Sequence, residues 1–305
     1  MLRPLLAVVL ALSGCRQPPP EVRPAPPRQP AFGEARRIGQ SVPDAGPTAA
    51  GGQVAWIVGR SDSGAELAAL GYTDEAPFRW TTGRIELADL ALSPEGLRIA
   101  CSWRPTGGIG DGAGATYSDS AHFALRAVPR GEGPSGTLVS GPWDCRHPSW
   151  SPDGTQIVFE IADRGSSRLW TVDVAIPERT YVAEGSDPSW SPDGARIAYV
   201  LGADLWTVRP DGTEPKRVTS GFAALSPSWS PDSRWIAFAR PDAAGRPDDL
   251  WAAAADGSRC VRLTWDPAGE WDPCWAPDGR LYFVSDRGGE TALWVASPVN
   301  KELLK

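Results

Sequence analysis

Histidine is almost missing from this chain: of 305 residues, only His122 and His147. Hydrolysis through an activated nucleophile needs a base beside it, and His122 lies in HFALRAV, a strand-like stretch that reads as packing or surface. No Gly-x-Ser-x-Gly elbow occurs, and Gly59–Gly64 (GRSDSG) has the wrong spacing and reads as a hairpin loop. The glycine-rich Gly107–Gly114 (GGIGDGAG) has no phosphate-loop lysine, occurs once and reads as an insertion between strands. No Cys-x-x-Cys or Cys-x-x-His pair offers zinc spacing. Basic charge is scarce as well. The formal net charge is −7, or near −8 once Arg3 is removed with a leader, which argues against nucleic acid and against attraction to an anionic bilayer. No apolar run reaches the roughly 20 residues that a membrane-spanning helix needs. These absences lead us to expect no catalytic constellation, no metal and no cofactor.

What the chain has is repetition. His147–Gly154 reads HPSWSPDG, Asp187–Gly194 DPSWSPDG, Ser226–Ser233 SPSWSPDS and Asp272–Gly279 DPCWAPDG. The anchoring Trp150, Trp190, Trp229 and Trp275 are 40, 39 and 46 residues apart. Such a period, carried by short strands and tight turns, marks a β-propeller. In the copy from Asp187, PSW is a short strand and SPDG a turn. Pro192 presets φ, Asp193 tolerates the bridge region and Gly194 takes a positive φ. RIAYV, LWTV and KRVT follow as three more strands, and four strands make a blade.

Looser copies precede these. LSPEGLRIACSW (Leu92–Trp103) carries Glu95 in place of the turn aspartate, and QVAWIVG (Gln53–Gly59) resembles a second strand. The expected architecture is all-β, a six-bladed propeller of four-stranded antiparallel blades beginning near residues 41, 84, 142, 185, 220 and 266. The last copy lacks a fourth strand, and Ala35–Gly39 (ARRIG) is expected to supply it and close the ring. Closure removes a sheet edge that would otherwise invite aggregation.

The PSWSPDG phrases, each followed by a strand such as RIAYV and then an LW strand, resemble the TolB-like family of propeller repeats over roughly residues 35–300. The resemblance implies a six-bladed propeller that binds other proteins in the bacterial envelope. In the member naming that family a small α/β domain precedes the propeller; we expect none in this chain, so that member's envelope-spanning partnership is not carried over intact.

The N-terminus carries a second signal. A short basic start and the apolar run Leu5–Leu12 lead into Leu12-Ser13-Gly14-Cys15, which resembles a lipobox with Cys15 as the lipidated residue. Residues 1–15 read as a lipoprotein signal peptide and 16–33 as a proline-rich tether with too little apolar content to fold. At about 3.1 Å per residue the tether reaches on the order of 45 Å. Residues 34–305 form the propeller. Arg16 after the cysteine, by resemblance to Gram-negative lipoproteins, implies an outer-membrane anchor facing the periplasm. Cys101, Cys145, Cys260 and Cys274 remain, and three pairings are open to them.

Aligning the copies on their turns brings Asp89, His147, Asp187, Ser226 and Asp272 into one register, with Asp44 as a weaker member. Each starts an innermost strand, so rotation should gather them around one acidic channel mouth suited to a cation, an amine or a basic protein loop. The competing account makes each aspartate a cap of its own turn. Long connections (104–120, 240–248 and 264–271) and Trp143, Trp265 and Trp271 are placed on the same face. The expectation is a monomeric, non-enzymatic, lipid-anchored propeller that binds a protein or peptide partner and meets the membrane only through its anchor. The alternative is a propeller that binds or cleaves glycan with acids at the channel mouth.

Overall fold

A computed structural model describes residues 15–16, 32–40, 46–61, 64–71, 78–81, 85–105, 122–129, 136–241 and 247–298. Strands dominate, and among the described residues no helix is long and apolar enough to cross a membrane.

Five blades, not six, are continuous segments of chain, each a four-stranded antiparallel sheet in sequence order. Blade 1 runs Thr48–Ala50, Gln53–Ser61, Gly64–Gly71 and Phe78–Thr81. Blade 2 runs Ile85–Leu92, Arg98–Pro105, Ala124–Pro129 and Gly136–Val139. Blade 3 runs Asp144–Trp150, Gln156–Asp163, Ser166–Asp173 and Arg179–Glu184. Blade 4 runs Ser186–Trp190, Ile197–Leu201, Asp204–Val208 and Lys216–Arg217, and blade 5 runs Leu225–Trp229, Trp235–Pro241, Pro247–Ala254 and Cys260–Arg262.

The sixth four-stranded sheet is composite. Glu270–Trp275, Leu281–Ser285 and Ala292–Ala296 come from the C-terminal end, and Arg36–Gln40 from the N-terminal end lies outermost, with Arg36 opposite Val295 and Gln40 opposite Ala292. The last repeat has only three strands of its own, so its outer edge is covered by the start of the chain. Phe32 joins this sheet as well. It bridges to Pro298, is 4% exposed and meets the Trp275 ring at 5.9 Å. The packed unit therefore already includes Phe32. Innermost strands touch in cyclic order around the ring, and Glu270–Trp275 meets Thr48–Ala50 to complete it.

The repeated phrase explains the packing. Ser191 Oγ donates to Asp193 Oδ1 at 2.6 Å and accepts the Arg196 N–H at 2.9 Å, while Asp193 Oδ1 accepts the Ala195 N–H at 3.0 Å. Gly194 closes the turn onto the Ser191 carbonyl with φ +74°, a conformation that favours glycine. Ser151–Asp153 and Ser230–Asp232 repeat the arrangement. The PDG aspartates are turn residues. The PSW serines join blades: Ser149 Oγ accepts the Trp190 N–H at 3.0 Å and Ser228 Oγ accepts the Trp275 N–H at 2.9 Å. Thr48 Oγ1 does the same for the Leu92 N–H at 3.0 Å. Each such bond contributes about 1 kcal/mol net. Cys101, Cys145 and Cys274 are free thiols, and burial pushes each up to about 12.

Candidate functional site

Four innermost strands share a kink. Pro148, Pro188, Pro227 and Pro273 have no N–H to give, so the ladder slips between Arg146 and Ser149, Ser186 and Ser189, Leu225 and Ser228, and Trp271 and Cys274. The residue before each proline takes a left-handed φ: His147 48°, Asp187 51°, Ser226 49° and Asp272 49°. Holding a non-glycine residue there costs on the order of 1–3 kcal/mol. Blade 2 slips at the equivalent place, between Leu87 and Leu90, beside Asp89. Gly46 and Pro47 stand at this place in blade 1, while Asp44 lies outside the described residues.

These bulges turn Asp89, His147, Asp187, Ser226 and Asp272 to one mouth of the channel, where together with Gly46 they line a cavity of about 160 Å³. A deeper chamber of about 390 Å³ continues between the PSW strands to the prolines of the SPDG turns, Pro152, Pro192, Pro231 and Pro277 among them.

The mouth carboxylates bond across blade junctions. Asp89 Oδ2 accepts the His147 N–H from the next blade at 3.2 Å, and the Ser226 N–H bonds to Asp187 across the following junction. Ser226 Oγ donates to Asp272 Oδ1 at 2.7 Å. Asp272 also leans over Gly46, where a Cβ would stand 2.8 Å from the Asp272 Cβ, so no side chain fits at residue 46 without a shift. Each acid thus joins its blade to a neighbour: Asp89 and Asp187 to the next one, Asp272 back to blade 5.

The sequence comparison misses Glu160, on the second strand of blade 3. His147 Nδ1 lies 3.0 Å from Glu160 Oε2 and 2.9 Å from Asp187 Oδ1, while its Nε2 lies 3.7 Å from Asp89 Oδ1. Glu160, only 5% exposed in its side chain, is held from behind by the Ser167 hydroxyl at 2.6 Å, and its Oε2 accepts the Asp187 N–H at 3.3 Å. A signal was present: where Glu160 stands, the register-equivalent residues are Ser102, Val200, Ala239 and Val284. A charge in that otherwise uncharged column needs a partner.

Burial works against charging the His147 imidazole, but attraction to Asp89 and Asp187, with hydrogen bonds to Asp187 and Glu160, outweighs it and holds the pKa well above its ordinary value. Burial likewise raises Glu160 and Asp187, and the His147 charge outweighs it and holds both carboxyls below their usual range. The imidazole is 42% exposed because it faces the channel, yet protein surrounds it. One ring nitrogen of His147 and one oxygen each of Glu160 and Asp187 lie within 4.8 Å of one another, and among the described residues this group could hold a metal ion.

The other expected features lie elsewhere. His122 Nδ1 stands 3.4 Å from Asp144 Oδ1, away from the mouth cluster. Trp143 and Trp271 pack against blade cores, and Trp265 lies under Arg262 at 5.6 Å. Most of 104–120 and of 240–248, with Gly107–Gly114, falls outside the described residues. Cys15–Arg16 lies parallel to Thr219–Ser220, with Cys15 opposite Thr219.

The TolB beta propeller domain family matches residues 137–267. The Tol-Pal system protein TolB of Nitratidesulfovibrio vulgaris is 30% identical over 79 residues, which is 26% of this chain and 17% of that protein. Among solved structures, an Agrobacterium tumefaciens protein assigned as TolB has a TM-score of 0.60 at 20% identity, covering 86% of this chain and 91% of its own. An oligogalacturonate lyase in complex with manganese has a TM-score of 0.52 at 14% identity, covering 91% of this chain and 100% of its own. Both likenesses concern the fold alone. The matched span, residues 137–267, covers blades 3 to 5 and the outermost strand of blade 2, and its repeats are similar to those of that family.

Proposed function

We propose that the chain is a lipid-anchored, non-enzymatic propeller of the bacterial envelope that docks a protein or peptide partner, presenting a cationic group, at the Asp89–Asp187–Asp272 mouth. The observation that carries this reading is the convergence of those three carboxylates, each from an equivalent bulge, on one opening. Clustered like charges with low-dielectric walls focus the field and draw a basic group. The Tol-Pal relative supports an envelope setting and a protein partner. In the glycan-cleaving alternative, paired acids must leave the sugar and water between them. Here the His147 nitrogen stands between Glu160 and Asp187, which favours the docking reading.

The test is affinity capture from envelope extract with the mature chain and with the Asp89→Asn, Asp187→Asn, Asp272→Asn triple variant. Asparagine tolerates the left-handed backbone at residues 187 and 272, and its side-chain oxygen can still accept the backbone N–H bonds. The wild type should retain a protein that the triple variant loses. Equal capture by both would remove the mouth from the reading.

The anchor is tested separately. Cys15→Ser should abolish acyl labelling and release the chain from the membrane fraction, since two or more acyl chains anchor stably and none leaves only weak adhesion. Persistent labelling would disprove lipidation at Cys15.

A further inference from the structure

We propose that His147 is an internal ligand of the channel mouth: its side chain occupies a seat for a cation built by Asp89, Glu160 and Asp187, and an incoming cationic group must displace it. The proposal rests on the docking reading above and adds what regulates that site.

The geometry is one-sided. The charged groups facing the imidazole are Asp89 from the innermost strand of blade 2, Glu160 from the second strand of blade 3 and Asp187 from the innermost strand of blade 4. Glu160 is buried and fixed by Ser167, so it cannot turn to water for solvation. Three carboxylates converging on one point repel each other unless a cation lies among them. Only blade 3 places histidine at this position. The equivalents are Asp89, Asp187, Ser226 and Asp272, with Gly46 in blade 1. The single cationic member of the ring therefore faces the single acid supplied by a second strand, and the two form a lock and its seat.

The lock is reversible by geometry. The imidazole borders the cavity, so it can swing into the channel and leave the three carboxylates to an ammonium, a guanidinium or a metal ion.

The backbone at residue 147 makes the test clean. With φ +48°, the position accepts glycine without strain. His147→Gly removes the internal ligand and leaves its seat open. The probe is imidazole, supplied as imidazolium at mildly acidic pH. The variant should melt below the wild type and regain most of the loss in millimolar imidazole, because a ligand that binds only the folded state stabilises it. The wild type should not respond. The variant should also bind imidazolium at least about tenfold more tightly than the wild type by calorimetry. Equal responses, or no response in either protein, would overturn the proposal.

If His147→Gly does not fold, the wild type still decides. With only two histidines, imidazole NMR resolves both, and His122→Gln assigns them. Added methylguanidinium should displace the His147 ring and shift its signals while those of His122 stay in place. Unmoved His147 signals would refute the seat. A mouth that takes imidazolium but captures no protein leaves this inference standing and overturns the docking reading instead.

Discussion

A chain beginning at residue 41 should lose its fold or melt on the order of 10 °C below one beginning at residue 31. The ten intervening residues include the outermost strand of the composite sheet, Arg36–Gln40, and the buried Phe32. Removing a buried phenylalanine side chain costs about 3–5 kcal/mol. Here the strand pairing to Ala292–Ala296 and the Gly33 N–H bond to the Ser297 carbonyl at 2.9 Å go with it. Gly39 lies close to the Trp56 ring of blade 1, so the junction on its other side loosens too. The exposed Arg37–Glu290 pair adds little, since such pairs contribute about 0–1 kcal/mol. Differential scanning calorimetry of the two chains reads the result. Equal melting would show that the ring closes without its N-terminal strand. Phe32→Ala should fall between them.

His147→Asn should destabilise the propeller by about 2 kcal/mol near pH 6, less than the loss for a fully buried ion pair because the imidazole borders the channel. Asparagine tolerates the left-handed backbone, so the loss reports the charge rather than the turn. The pH dependence has a definite sign. The folded-state pKa of His147 is raised, so its contribution is complete below the unfolded value of about 6.5 and disappears as pH rises through the folded value. Glu160 and Asp187 are lowered, so theirs is complete above about pH 4 and disappears as pH falls through their folded values. The wild type should be most stable between the two ranges and weaken towards alkaline pH. The variant should lack that alkaline decline, and the gap between the two should narrow there. A gap constant from pH 6 to the alkaline end would exclude the imidazolium clasp.

Where residues do one job in every repeat, the sequence is readable. Pro192, Asp193 and Gly194 announce a turn because a turn requires those three types in that order, and Ser191 completes it through its hydroxyl. The register that gathers Asp89, His147, Asp187, Ser226 and Asp272 at one mouth is readable for the same reason, since rotation carries equivalent residues to equivalent places. What the acids do there is not. A turn cap and a bond across a blade junction need the same residue type, and the bulge that aims it is followed by proline in blades 3 to 6 but by Leu90 in blade 2. Glu160 escapes because the alignment follows the innermost strand, and it matters through a contact between one blade's second strand and the next blade's first. Phe32 escapes because its proline-rich neighbours read as tether, while its own side chain packs on Trp275 at the far end of the chain.

An acidic mouth that docks a cationic group of a protein partner holds it through charge. The affinity of the captured partner for the mature chain is therefore measured across ionic strength, for the wild type and for the Asp89→Asn, Asp187→Asn, Asp272→Asn variant. Attraction between exposed charges weakens as the Debye length shrinks. Wild-type binding should fall steeply with salt, and the triple variant should bind at least about tenfold more weakly with a shallower slope. The same Kd and the same slope in both proteins would contradict it.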